Sequence, residues 1–366
     1  PPRRAGIGSC IWRPMAPIDD LDQDGEFSDT RRDLELTGVV PLALHVGTPL
    51  GQGASGEVSP LLFAIDGGRY AIREVKRRSG ADAAEEAAML HEVHLHRLCS
   101  AECNAVLRYA FSYFTTEAML VVMEACDCDL WDAIIGEENA WKRLDPTAEP
   151  VHGPRLFPEE RVSIMRELAS ALRHCHGLRV LHRDLNPWNC FLSRTLGPQG
   201  SPRRLYARLG DFSMAAQLPP GVETLKGIHF DGAVPLDEAA LGSMYSAPEL
   251  GHNYGFTADV FSLGMVLLAL WLSGEEAGRH REVVSAMVDI VKMSSYHEDM
   301  PRDNLLEELE PTRPCLRALL VRMLSIGPGD RPYMEEVYST MLRGEAREEP
   351  RTSPSPPARR SRCGFF

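Results

Sequence analysis

His182-Arg183-Asp184-Leu185-Asn186-Pro187-Trp188-Asn189 is the stretch on which the reading of this 366-residue chain turns. It lies in a part of the sequence where apolar residues recur at three- and four-residue steps. Before it, Val162, Met165, Leu168, Ala169 and Leu172 mark a helix. After it, the same periodicity predicts helices over Ala258 to Leu272, Glu282 to Val291 and Leu316 to Leu324. The apolar run Gly264 to Leu272 is far short of the roughly 18 to 20 residues that cross a bilayer, so it reads as a buried core helix.

Toward the N-terminus the pattern changes. From Pro41 to about Val122, short β-branched runs are broken by glycine clusters, with one helix-like segment from Asp82 to Leu98. The sequence therefore predicts an α+β chain: a small antiparallel β-sheet lobe with one helix over residues 41–125, then a larger, mainly helical lobe over 126–342. Residues 1–40 and 343–366 are rich in Pro, Arg, Ser and acidic residues without apolar periodicity, and are expected to be disordered. Two polar stretches, Gly136 to Pro158 and Arg194 to Arg208, read as surface insertions.

Within the strand-rich part, Gly51-Gln52-Gly53-Ala54-Ser55-Gly56-Glu57-Val58 places glycines where a tight hairpin lets backbone amides approach phosphate oxygens. Alone, a glycine-rich hairpin says little. However, Tyr70-Ala71-Ile72-Arg73 follows, and Glu92 lies 19 residues beyond Arg73 in the helix-like segment. That separation suits a strand cation paired with a helix acid beneath the glycine loop.

The set GQGASGEV, YAIR, HEV, HRDLNPWN, DFS, APE and DVFSLG, in this order over about residues 45–342, resembles the eukaryotic protein kinases. The resemblance implies a two-lobed fold that binds ATP and magnesium and acts on a protein substrate. It makes Asp184 the catalytic base and Asn189 and Asp211 the metal ligands, oxygen donors of the kind magnesium prefers. The ATP site it implies comprises Gly51, Gly53, Gly56, Val58, Ala71, Arg73 and Glu92, with Met123, Glu124 and Cys126 as the hinge and Asp129, in competition with Asp127, at the ribose. Glu249 and Arg331 become a scaffold ion pair, and Asp259 a support for the catalytic-loop backbone. Arg183 becomes the partner of a phosphate on the segment carrying Thr224 and Ser243.

Three positions depart from the family pattern. Arg73 stands where most active members have lysine, and a planar guanidinium does not replace a compact ammonium conservatively. Lys76 would face the other side of a regular strand and could substitute only through a bulge. Ser213 stands where glycine usually follows Asp-Phe, and Asn186 where serine/threonine kinases carry lysine, although Pro187 after it resembles the serine/threonine pattern. Two functions follow: a serine/threonine protein kinase of reduced activity, or a pseudokinase scaffold that regulates a partner.

The net charge of -13 argues against a nucleic-acid partner held by phosphate attraction. Nine scattered cysteines fit reduced thiols in the cytoplasm or nucleus. His91, His94, His96, Cys99, Cys103, Cys126 and Cys128 invite a zinc reading, which the kinase frame displaces. Cys363-Gly364-Phe365-Phe366 imitates a prenylation box without its aliphatic interior, so a solvated tail is expected rather than a membrane anchor. The oligomeric state is not legible.

Overall fold

The computed structural model describes residues 44–45, 51–53, 56–62, 69–76, 83–114, 118–135, 156–195, 204–226, 245–272 and 314–348. The segment 1–40, most of the C-terminal tail, the expected helix over Glu282 to Val291, and Ser243 lie outside them.

Strands β1 (Leu44–His45), β2 (Gly51–Gly53), β3 (Gly56–Leu62), β4 (Arg69–Lys76), β5 (Tyr109–Phe114) and β6 (Ala118–Glu124) form an antiparallel sheet in the order β1-β3-β4-β6-β5, with β2 paired to β3. Alternation along β4 sorts its side chains between two faces. Ala71 belongs to a core with Met89, Val93, Leu107, Met119, Val121 and Met123, whereas Ile72 packs with Val122 on the opposite face. Met89 and Val93 come from α1 (Ala83–Ser100), so the helix covers the Ala71 face. Arg73, two residues after Ala71, points to that same face. On α1, Met89, Glu92, Val93 and His96 follow one another at helical spacing and turn toward the sheet together.

The helical lobe is built from α2 (Leu130–Ile135), α3 (Pro158–Gly177), α4 (Phe256–Leu272), α5 (Pro314–Met323) and α6 (Met334–Glu348). α3 opens with Pro158, at a position where the missing N–H costs little, and the Glu160 carboxylate accepts from Phe157 N at 3.0 Å. Its buried stripe, Ile164, Met165, Leu168, Ala169, Leu172 and Cys175, joins the main core. α4 is buried on nearly every side. A Cβ at Gly264 would lie 3.0 Å from Leu324 and 3.1 Å from Met323, so glycine is what lets α5 and the turn after it pack this close. No helix among the described residues is long and apolar enough to cross a membrane.

Two expectations are corrected. The stretch Arg194 to Arg208 is not a surface insertion throughout. Its ends belong to a hairpin of β9 (Cys190–Thr195) and β10 (Arg204–Leu209), paired from Arg204↔Thr195 to Leu209↔Cys190. Leu205, Ala207 and Leu209 are buried in strict alternation with Arg204, Tyr206 and Arg208, the period-two pattern of a half-buried strand. α6 also runs to Glu348, past the tail boundary expected at 342. Glu345, Ala346, Arg347 and Glu348 are good helix formers and carry it onward.

The short ladders decide where the loop 182–189 lies. β8 (Val180–Leu181) pairs with β11 (Ala216–Gln217), and β7 (Cys128–Asp129) pairs with β9. The loop leaves β8 and enters β9, so both ends are held by strand pairing.

Candidate active site

The loop is held from below by one carboxylate. Asp259, near the start of α4 and 2% exposed, accepts from His182 N and Arg183 N, each at 2.8 Å, and from His176 Nε2 at 3.0 Å. Burial alone would raise this carboxyl's pKa. The bond from His176, the neighbouring His176 and His182 rings and the Arg183 amide outweigh that and hold it below the ordinary carboxylate value. Three donors thus fix the backbone at the turn where Arg183 takes a left-handed φ of 68°.

Asp184 is half-buried, and amides hold its carboxylate on both sides. Asn186 Nδ2 donates to Oδ1 at 3.0 Å, and Asn189 Nδ2 donates to Oδ2 at 2.9 Å and to the Asp184 carbonyl at 2.7 Å. Asn186 Oδ1 in turn accepts from Asn189 N at 3.1 Å, capping the 3-10 turn Pro187–Asn189. Trp188 leaves this turn to pack at a tilt against Trp131 of α2, with ring centroids 4.7 Å apart.

Asp211 follows β10 through Gly210, where a Cβ would lie 2.8 Å from the Phe191 ring and 2.9 Å from Leu107. The Gly210 amide donates to Asn189 O at 2.9 Å, and its carbonyl accepts from His182 Nε2 at 2.9 Å. Asp211 and Asn189 are thereby tied through one peptide unit. Asp211 itself is left-handed, with φ 57°. Ser213 N donates to Asp211 Oδ1 at 3.1 Å. The positive-φ non-glycine residues described are Arg179, Arg183 and Asp211, so the backbone at Ser213 makes no demand for glycine here.

Phe212 inserts between the lobes. Its ring lies 5.2 Å from His96 of α1, nearly parallel, and 5.2 Å from His182 of the loop, while Tyr109 meets His96 edge-on at 5.7 Å. His96 Nε2 donates to Leu107 O at 2.7 Å. Burial drives its pKa down to about 4; the carbonyl bond resists this and nearby Arg73 adds to it.

Arg73 is 6% exposed and joins both lobes. Its Nη2 forms an ion pair with Glu92, and its Nη1 donates to Asp211 Oδ1 at 3.0 Å. The β4 register, Arg73↔Val58 on one side and Arg73↔Val121 on the other, runs to Lys76 without a shift. Lys76 is exposed, and Arg73 occupies the inward position. Arg73 Nε is buried without a hydrogen-bond partner among the described residues. Above it, the glycines line the β2–β3 hairpin through the pairs Gly51↔Val58 and Gly53↔Gly56. The hairpin tip, Ala54 and Ser55, lies outside the described residues.

At the hinge, Met123 pairs with Ala71 across the sheet and is 9% exposed. Glu124 Oε1 accepts from Arg108 N and from Arg208 Nε, each at 3.1 Å, which ties the end of the sheet to β10. Burial pushes the Cys126 thiol up to about 12, against a hydrogen bond with Ser193, so it sits as a neutral thiol. Asp127 is 7% exposed and accepts from Arg194 N at 2.9 Å, which turns it into β9. Asp129 Oδ1 accepts from Asp132 N at 2.8 Å and so caps α2.

Arg183, expected to meet a phosphate, is engaged in this structure. It donates to the carbonyls of Met214 and Ala215 and to the Tyr254 hydroxyl at 2.7 Å. Tyr254 exchanges backbone bonds with Leu225, which places exposed Thr224 beside this point. Tyr245 is 1% exposed, and burial pushes its phenol well above the ordinary value. Further on, Arg331 grips Glu249 with both Nη atoms, at 2.5 and 3.0 Å, and donates to the carbonyls of Ser325, Ile326 and Thr257.

The donor set suits magnesium. Asp211 supplies a carboxylate, and Asn189, whose Nδ2 is spent on Asp184, supplies an amide oxygen. The buried, unpaired Arg73 N–H suits an anionic oxygen such as a nucleotide phosphate. The sequence reading missed His96, Phe212, His176 and Tyr254. The helical spacing of His96 from Glu92 carried a signal, which the competing metal reading of the histidines obscured.

The family profile described as "Protein kinase domain" matches residues 44–342. "Calcium-dependent protein kinase 31" of Arabidopsis thaliana is 25% identical over 314 residues, covering 83% of this chain and 56% of that protein. "Calcium-dependent protein kinase 1" of Oryza sativa subsp. japonica is 27% identical over 237 residues, covering 62% and 38%. "Serine/threonine-protein kinase Nek1" of Mus musculus is 24% identical over 295 residues, covering 79% and 20%. The chain thus spans little more than half the length of calcium-dependent protein kinase 31, 38% of calcium-dependent protein kinase 1 and a fifth of Nek1.

Proposed function

Because the chain belongs to the protein kinase family, which its match over residues 44–342 establishes, we propose that it transfers the γ-phosphoryl group of ATP to serine and threonine hydroxyls of protein substrates. The observation that carries this reading is the Asp184 carboxylate held between the Asn186 and Asn189 amides, with Asp211 tied to Asn189 through Gly210. Phosphoryl transfer asks the protein mainly for positioning and charge. The substrate oxygen bonds to the γ-phosphorus, the bond to the β–γ bridging oxygen breaks, ADP leaves, and the hydroxyl proton passes to Asp184. Asn186 and Asn189 aim that carboxylate. The backbone amides of the β2–β3 hairpin and the Arg73 guanidinium face the phosphates. Asp211 and Asn189 would hold magnesium, which would supply counter-charge to the phosphates there.

Pro187 and the similarity to Serine/threonine-protein kinase Nek1 support the serine/threonine class. The scatter of nine cysteines, without the regular spacing of a disulfide framework, supports a reducing compartment, the cytoplasm or nucleus. A second reading, a nucleotide-binding scaffold without transfer, is favoured by one observation, the Arg73–Asp211 bond at 3.0 Å on the metal-ligand carboxylate.

Incubation of the full chain with γ-labelled ATP, magnesium and a generic basic protein, followed by phosphoamino-acid analysis, tests the proposal. Label on serine and threonine is expected. Label on tyrosine alone contradicts the substrate class, and nucleotide binding without any label supports the scaffold.

A further inference from the structure

Arg73 has more to do than the lysine it replaces. Its guanidinium is permanently charged and carries five N–H donors in a fixed plane. Nη2 is committed to Glu92 and Nη1 to Asp211, so two carboxylates already lean on one cation. β4 pairs on both sides of Arg73 without a bulge, and the side chain is 8% exposed, so the group is held in place. One nitrogen is left without a bond: Nε–H is buried without a partner among the described residues. A buried N–H without an acceptor is costly, and an anionic oxygen is the acceptor that would relieve it most.

From this geometry we infer that Arg73 is the resident cation of the nucleotide site: it neutralises Asp211 and offers Nε–H to a phosphate oxygen, so nucleoside di- and triphosphates bind with little dependence on a divalent metal. Without a counter-charge, the Asp211 carboxylate would repel a polyphosphate, which is a reason for a site to need metal before nucleotide. Here a guanidinium already sits 3.0 Å from Asp211 Oδ1. A metal approaching Asp211 must compete with it. A lysine in this place, a single ammonium, cannot hold both carboxylates and keep a fixed planar donor for the phosphate.

The inference rests on the reading of the cleft as a nucleotide site and can fail separately from it. ATP and ADP are titrated calorimetrically into the full chain, once in excess magnesium and once in EDTA. The wild-type dissociation constants in the two buffers are expected to agree within about threefold, and in Arg73→Lys the EDTA value is expected to exceed the magnesium value by about tenfold or more. Wild-type binding weakened more than about tenfold by EDTA overturns the inference and leaves the nucleotide site standing. No binding in either buffer overturns both. The wild-type comparison decides the matter even where Arg73→Lys fails to fold.

Discussion

Asn186 Nδ2 lies 3.0 Å from Asp184 Oδ1 and 3.2 Å from the Asp184 carbonyl, so the residue that replaces the family lysine is spent on holding Asp184. Its own oxygen holds the Asn189 amide at 3.1 Å. In Asn186→Ala the carboxylate loses one of its two amide partners and the 3-10 turn loses its cap. The expected result in steady-state kinetics is a fall in kcat of about tenfold to a hundredfold with little change in the KM for ATP. A change confined to KM contradicts the positioning role.

His96 gives the protein a pH-dependent stability. The ring binds its proton near 6.5 when unfolded and only at about 4 when folded, chiefly because it is buried against Phe212 and Tyr109. Between these values the unfolded state carries the extra proton. Stability is therefore complete above about pH 6.5 and falls as the pH drops toward 4, by about 3 kcal/mol for this group. Urea unfolding of wild type and His96→Leu across this range checks it. The variant is expected to show a shallower slope, and parallel curves contradict the assignment.

The Glu249–Arg331 pair holds the turn Pro248–Gly251 to the helical lobe. Arg331 is 4% exposed and saturated by Glu249 and three carbonyls. Removing the acid leaves a buried cation short of its counter-charge. Glu249→Ala is expected to cost about 3 to 5 kcal/mol in unfolding free energy, and Glu249→Ala/Arg331→Met less than the sum of the single changes. Additive losses in chemical denaturation contradict direct coupling.

The Arg183–Tyr254 bond at 2.7 Å links the catalytic loop to the segment that Leu225 joins. Tyr254→Phe removes the acceptor and keeps the ring. A loss of about 1.5 to 3 kcal/mol is expected, the range for a hydrogen bond to a charged group, together with lower activity. Unchanged melting and activity contradict the proposed hold on the segment.

Much of this was legible beforehand, for a physical reason. The loop 182–189, the glycine hairpin and the Arg73–Glu92 spacing are local runs, and their chemistry constrains residue type at each position. The alternation of Leu205, Ala207 and Leu209 with Arg204, Tyr206 and Arg208 is itself a strand signal, but the Pro- and Gly-rich run Leu196 to Arg203 beside it made the whole stretch read as an insertion. The Arg73–Asp211 bond joins residues 138 apart, and no local pattern encodes it. The ring cluster of His96, Phe212 and His182 likewise needs three elements folded together.

The central claim is that the amide-held Asp184 is the base of a phosphoryl transfer. Single-turnover transfer of the γ-phosphoryl group to a protein substrate, measured for wild type and Asp184→Asn at saturating ATP, tests it most directly. The expected result is transfer by wild type and a rate lower by about a hundredfold to ten-thousandfold in the variant, with ATP affinity retained. Equal rates in the two proteins, or no transfer by wild type that binds ATP, would contradict it.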